Sequence, residues 1–278
     1  MNCFQLVKTV LDEIYSRVTG KTPDEKDALI RDRLDDLSKS YAKLATANTV
    51  DHSDLASRFA YIYRYVTSHA NFVFQVIRGS ETLQDLFDRE RVNITCIGGG
   101  PGSDFLGVIK YLEKASKKPT LKCILYDKEN AWGECWNDVD EKLSTDLQIR
   151  TFCQPFDVTE PSSWENYSKY LSSDLFTMIY FLSEVYCVRG EAETFFLNMF
   201  EEAKTGAIFL FIDNNAPIFY AWFDDMVSRS QIEVIERFEG KIGITDYSEE
   251  KTDLGEYWLK FGAPKLGAQA AYRVCRRL

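Results

Sequence analysis

The chain of 278 residues is long for one ordinary domain and short for two, and its 45% hydrophobic residues can supply one large core. With 43 acidic against 33 basic side chains its formal net charge is −10, which argues against indiscriminate binding of polyphosphate. No apolar run nears the roughly 18 residues of a membrane span, and the amphipathic start of the sequence lacks the apolar core and cleavage site of a secretory signal.

Residues 1 to about 90 read as helices. Thr22-Pro23-Asp24-Glu25 has the form of a capping box, with Pro23 in the first turn and Glu25 reaching back. The helix it opens carries Leu29, Leu34, Leu37, Tyr41 and Leu44, spaced mostly by three or four. A polar stretch over 47–53 follows. Next comes a stripe of Phe59, Ile62, Val66, Ala70, Val73 and Ile77, widened by Tyr61, Tyr65 and Phe72, as expected of a helix packed on more than one side. This extension is expected to act as lid and substrate platform. Tyr61, Tyr63 and Tyr65 are candidates to line a pocket, with core packing the expected role of at least two. Deleting residues 1–50 is expected to leave a folded remainder with weakened turnover.

The texture changes at Arg91, where short β-rich runs begin to alternate with helical segments. Strands are predicted over 92–97, 121–126, 149–156, 175–182 and 207–212, with helices over 104–115, 131–143, 162–170 and 191–203 between them. Strands separated by helices imply a parallel sheet with right-handed crossovers, hence a doubly wound α/β fold with helices on both faces. A further helix over 218–227 and strands over 232–238 and 271–276 bring the sheet to a mainly parallel, seven-stranded type. The segment 244–269, rich in Gly, Lys and Glu, has no clear period. The domain reading is therefore 1–90 as a helical extension and 91–278 as the sheet domain.

Seven cysteines show no CxxC spacing, and Cys96, Cys123, Cys153 and Cys275 sit in apolar strand-like runs, where a reduced thiol behaves as a small hydrophobe. A cytoplasmic, reducing setting is the expectation. The one dense basic cluster, Arg273, Arg276 and Arg277, reads as a solvated chain end. With only His52 and His69, both in the N-terminal region, a histidine-rich metal site or a Ser-His-Asp triad is hard to build in the sheet domain, so no metal site is assigned.

The first strand runs into Gly98-Gly99-Gly100-Pro101-Gly102-Ser103-Asp104, a loop where backbone can approach a ligand closely. A dinucleotide G-x-G-x-x-G fingerprint would put its third glycine on Ser103 or Phe105, so it is broken in both registers. The loop instead resembles the first motif of class I (Rossmann-like) S-adenosylmethionine-dependent methyltransferases, G-x-G-x-G, on Gly98, Gly100 and Gly102, with Asp104 opening the helix. Where that family commonly has an acid, two residues before the first glycine, this chain has Cys96. Asp104 or a residue of the N-terminal helices is then expected to meet the cofactor's ammonium.

The resemblance, which spans about residues 92–215, implies roles for further positions. Asp127, at the tip of the second strand, would accept both ribose hydroxyls, since a carboxylate can accept from both donors of a cis-diol. Trp132 would pack on the adenine. Asp157, about 30 residues on and one βα unit later, would accept the adenine amino hydrogen while the Val158 backbone meets a ring nitrogen. At the fourth strand's tip, Tyr180, Ser183, Glu184 and Tyr186 are the candidates to touch substrate. The implied activity is methyl transfer from S-adenosyl-L-methionine. A small-molecule acceptor is favoured over RNA or protein by the acidic balance, and no membrane partner is implied. A catalytically silent cofactor-binding sensor and an NAD(P)-dependent oxidoreductase stay open as alternatives.

Overall fold

Asn2 opens the first helix, α1 (Cys3–Arg17), its side chain accepting the Gln5 N–H at 3.1 Å and so satisfying a donor that a helix start leaves orphaned. The structure, a computed structural model, describes residues 1–46, 51–164, 168–244 and 248–278, with Ser168 described in its backbone only. Part of the polar stretch (47–50) and the middle of the helix read over 162–170 therefore lie outside the described residues. Thr22 caps α2 (Pro23–Tyr41), accepting the Glu25 N–H. The Glu25 carboxylate reaches back to Lys21 rather than to the cap itself, with an N–H···O distance of 2.6 Å. Asp54 caps α3 (Leu55–Tyr61), which continues through one π turn, 62–66, into α4 (Thr67–Gly79), and Ser80 then starts α5 (Glu81–Leu86).

The sheet strands are β1 (Arg91–Ile97), β2 (Thr120–Asp127), β3 (Ile149–Pro155), β4 (Leu175–Ile179), β5 (Ile208–Asn214), β6 (Ile232–Gly243) and β7 (Gly267–Arg277). Their order is β3-β2-β1-β4-β5-β7-β6, parallel except for β7, which runs antiparallel to both β5 and β6. Between them lie α6 (Ser103–Ala115), α7 (Trp132–Lys142), α8 (Pro161–Trp164), α9 (Phe181–Val185), α10 (Arg189–Glu202), α11 (Pro217–Ser228) and α12 (Glu256–Phe261). Two cores follow from strand alternation. Leu175 and Ile179 of β4 face the layer holding the N-terminal helices, α6 and α7, whereas Phe176 and Met178 face α10 and α11.

The N-terminal helices thus share one core with the sheet. Phe4, Val7, Val10, Leu11 and Ile14 of α1 are all buried. This corrects the expectation that residues 1–50 can be removed from a folded remainder. The region 244–269 also takes shape: a 3-10 turn (Lys251–Leu254) and α12 pack back on α1 and α3, with Tyr257 edge-on to Phe59 at 5.3 Å. Its anchor is Glu249, buried with Lys110 at 2.7 Å. Two further readings change. Arg273 is no solvated end, being buried with Asp224 at 3.0 Å and Glu239 at 2.7 Å. Cys153 is exposed on the edge strand β3, while Cys96, Cys123 and Cys275 are buried. No helix among the described residues is long and apolar enough to cross a membrane.

Candidate active site

In the strand order, chain connections diverge between β1 and β4, and ligands bind at the carboxyl ends of strands beside such a switch point. A cavity of about 590 Å³ lies there. Its floor is Gly98 and Gly100, its sides are the tips of β2, β3 and β4, and its roof is Asp51, His52 and Tyr61 of the N-terminal region.

The glycines of the loop do different work. Gly98, Gly100 and Gly102 all have positive φ (65°, 47° and 85°), a region costly to any residue with a Cβ. A Cβ on Gly98 would lie 2.0 Å from the Phe181 ring, and one on Gly102 would lie 2.2 Å from Trp136. Those two are glycine so that aromatic side chains can pack on the backbone. Only at Gly100 would the Cβ enter open cavity, its nearest neighbours being Asp127 Oδ2 at 3.9 Å and Trp132 at 4.0 Å. Gly99 and Gly102 do not line the cavity.

Asp127 holds the loop in place. Its Oδ2 accepts the Gly100 N–H at 3.0 Å and its Oδ1 accepts that of Glu129 at 2.9 Å. Burial raises its pKa to about 6, although both N–H donors favour the ionised form. Trp132, at the start of α7, is in the wall with its ring 5.3 Å from Tyr61 and 5.0 Å from His52. Asp157 and Val158 line the cavity beyond β3. Burial alone would raise the Asp157 pKa, but Lys128 at 2.7 Å and the Thr159 N–H and hydroxyl outweigh it and hold it below the usual carboxylate range.

Asp104 does not reach this space. It is buried under the sheet end, accepting from the Thr177 hydroxyl at 2.6 Å, and burial raises its pKa to about 7. Cys96 is likewise buried, its sulfur 3.7 Å from that of Cys123. The ammonium contact expected of Asp104 is therefore not available from that residue. Asp51 is the acid that the N-terminal region contributes to the cavity wall among the described residues.

β4 ends at Ile179, three residues short of the sequence reading, because Tyr180 turns left-handed (φ 57°) and α9 begins at Phe181. Glu184 therefore sits within a helix and points into the cavity, accepting a hydrogen bond from the Tyr41 hydroxyl at the end of α2. Burial, then the charges of Asp127 and Asp213, raise its pKa to about 8 against the opposing Tyr41 bond. Tyr180 also lines the cavity, with its ring stacked on His69 at 4.2 Å. Ser183 is turned away: its N–H donates to Asp213 at 2.8 Å and its hydroxyl accepts from Asn214 at 3.2 Å, which pins the start of α9. Tyr186 lies outside the wall, packed edge-on against Phe219 and Trp222. Of the three N-terminal tyrosines, Tyr61 lines the cavity, Tyr63 packs on Phe59 and Phe261, and Tyr65 stands behind Tyr61 against Tyr41.

Sequence reasoning missed Tyr41, Asp51, His52, Lys128, Glu129 and Phe181. Lys128 and Glu129 adjoin Asp127 and were within reach of a local reading. Tyr41, Asp51 and His52 were not, since nothing in their neighbourhood says which sheet edge they fold over. Among the described residues the wall carries five carboxyl groups, Asp51, Asp127, Glu129, Asp157 and Glu184, against one cation, Lys128, already paired with Asp157.

No family model matches the chain, and no curated protein matches it. Among solved structures it is similar to the 16S rRNA methylase ArmA, at 12% identity and a TM-score of 0.45 over 88% of this chain and 98% of that one. It is also similar to the plantazolicin methyltransferase BpumL in complex with SAH, at 12% identity and a TM-score of 0.39 over 99% of this chain and 96% of that one. A third, the StiE O-MT, gives 13% identity and a TM-score of 0.41 over 73% of this chain and 71% of that one. Likenesses this distant carry no weight on function, which has to be read from the cavity.

Proposed function

We propose that the chain is an S-adenosylmethionine-dependent methyltransferase acting on a small molecule. The observation that carries this reading is the acidic lining of the cavity above the glycine loop: five carboxyl groups, of which Asp157 is paired with Lys128 and Glu184 has its pKa raised to about 8, and no unpaired cation in the described wall. A dinucleotide would bring a pyrophosphate into that field and be repelled. A cofactor with a sulfonium and an ammonium is attracted. The open space at Gly100 suits close passage of the donor, and Asp127, a carboxylate in the cavity wall, suits a ribose cis-diol. Asp157 and the Val158 backbone would meet the adenine, Trp132 would pack on it, and Asp51 would take the ammonium contact left open by Cys96 and Asp104. When bound, the donor supplies an already activated methyl group, so the protein has chiefly to position the acceptor and exclude water. Residues 1–90 serve as roof and acceptor platform in this reading, and Glu184, in α9 and facing the cavity, favours turnover over silent binding.

The ribose contact gives the test. Asp127→Ala is expected to weaken S-adenosylhomocysteine binding roughly 5- to 150-fold in calorimetry, the equivalent of about 1–3 kcal/mol for a buried partner left unpaired. Because Asp127 also holds two backbone N–H groups, thermal stability should fall as well. Binding by the variant as tight as by the unaltered chain would reject the pose.

A further inference from the structure

We infer that the methyl acceptor is a small amine, bound as its ammonium ion by Glu184 beside Tyr61 and Trp132 of the cavity wall. The inference rests on the methyl-transfer reading and goes beyond it by naming the acceptor's chemistry. Tyr65 and Tyr41 stand behind, at 5.4 Å (Tyr65–Tyr61) and 5.2 Å (Tyr41–Tyr65), and the cavity face of this cluster is the Tyr61–Trp132 pair, 5.3 Å apart. Glu184 stands beside it with one oxygen taking the Tyr41 hydroxyl. An ionised carboxylate only accepts hydrogen bonds, and one donor leaves it room for more. A carboxylate beside aromatic rings is a setting that favours an ammonium group.

The neighbouring charges agree. Asp127 and Asp213 both act on Glu184 with negative charge. Lys128 is held by Asp157 on the β3 side, and Lys265, 4.4 Å from the Tyr180 ring centre and 5.4 Å from that of Tyr65, is not in the cavity wall. A phosphate or carboxylate acceptor, or a polynucleotide, would meet repulsion here. A second feature asks for a ligand at the same end. Tyr180 lines the cavity and is 3% exposed, yet its hydroxyl has no hydrogen-bond partner, and a buried polar group left so is costly.

The chemistry balances with S-adenosylmethionine as donor. The ammonium gives one proton to the Glu184 carboxylate, and its freed lone pair forms the N–C bond to the methyl carbon. The methyl carbon's bond to sulfur breaks, with the electron pair leaving on sulfur as a neutral thioether, so the nitrogen ends as a methylated ammonium. Burial places the Glu184 acid at about 8, which makes its conjugate base a stronger proton acceptor than an ordinary carboxylate. A cation beside it favours that ionised form.

The test uses the full chain saturated with S-adenosylhomocysteine and titrated in a calorimeter with phenethylamine, 2-phenylethanol and phenylacetate. The amine is expected to bind at least about tenfold more tightly than either counterpart, and Glu184→Gln to remove that preference while S-adenosylhomocysteine binding stays within about threefold. In parallel, methyl-labelled donor is incubated with a small-molecule extract and, separately, with RNA. Label is expected in a product that a cation exchanger retains, that is resolved from the unreacted donor, itself a cation, and that is absent when the protein is left out. Equal affinity for the three probes, or label in neutral, anionic or RNA fractions or in none, overturns the amine assignment. Failure of S-adenosylhomocysteine to bind at all would instead reject the methyl-transfer reading beneath it.

Discussion

A chain lacking residues 1–50 is expected not to fold cooperatively. Such a deletion removes α1, whose Phe4, Val7, Val10, Leu11 and Ile14 are each no more than 2% exposed and whose contacts reach α3, α4, α7 and the 251–254 turn. Truncating one large core side chain to alanine costs about 2–5 kcal/mol. Losing five such side chains together, about 10–25 kcal/mol, matches or exceeds the roughly 5–15 kcal/mol by which domains are stable at all. The deletion also removes the Cys3 N–H that donates to Glu249 at 2.8 Å, within the buried cluster around Lys110. Circular dichroism with thermal melting should show no sigmoidal transition, and a hydrophobic dye should bind. A cooperative melt within a few degrees of the full chain would contradict the shared core.

Gly98→Ala and Gly100→Ala are expected to fail in opposite ways. At Gly98 the added methyl meets the Phe181 ring at 2.0 Å while the backbone is at φ 65°. Left-handed strain of about 1–2 kcal/mol and overpacking of about 1–3 kcal/mol add to a loss of roughly 2–5 kcal/mol, readable as a lowered denaturant midpoint. At Gly100 the methyl meets nothing closer than 3.9 Å, so only the strain term applies, about 1–2 kcal/mol. Its methyl projects into the cavity, and S-adenosylhomocysteine affinity should fall more than for Gly98→Ala at a temperature where both are folded. Equal destabilisation by the two substitutions would contradict the assignment of Gly98 to packing and Gly100 to the ligand.

Much of the fold was legible because its signals are local. The central strands β1, β4 and β5 are short, largely apolar runs, and every predicted strand overlaps an observed one. The error at β4 has a physical source. Tyr180, Phe181 and Leu182 prolong an apolar run that composition reads as strand, yet Tyr180 turns left-handed and a helix starts. The glycine motif was visible, but not the division of labour within it. Whether a missing Cβ makes room for Phe181, for Trp136 or for a ligand depends on residues 34 to 83 positions away or on the cavity itself. Asp104 misled for a similar reason, since its partner, Thr177, belongs to a strand 73 residues on. The cavity roof was the least legible part. Asp51 and His52 lie within a polar stretch without periodicity, and only packing of the N-terminal helices against α6 and α7 brings them over the sheet edge.

The central claim, an acid-walled cavity built for a sulfonium cofactor rather than a dinucleotide, is tested most directly by thermal shift of the full chain with S-adenosylmethionine, S-adenosylhomocysteine, NAD and NADP. A ligand that binds only the folded chain stabilises it by RT ln(1 + [L]/Kd), about 2.7 kcal/mol at 100 times Kd. S-adenosylmethionine and S-adenosylhomocysteine are each expected to raise the melting temperature by several degrees at saturation, and NAD and NADP to leave it unchanged. A rise with NAD or NADP and none with the methyl-donor pair would contradict the account.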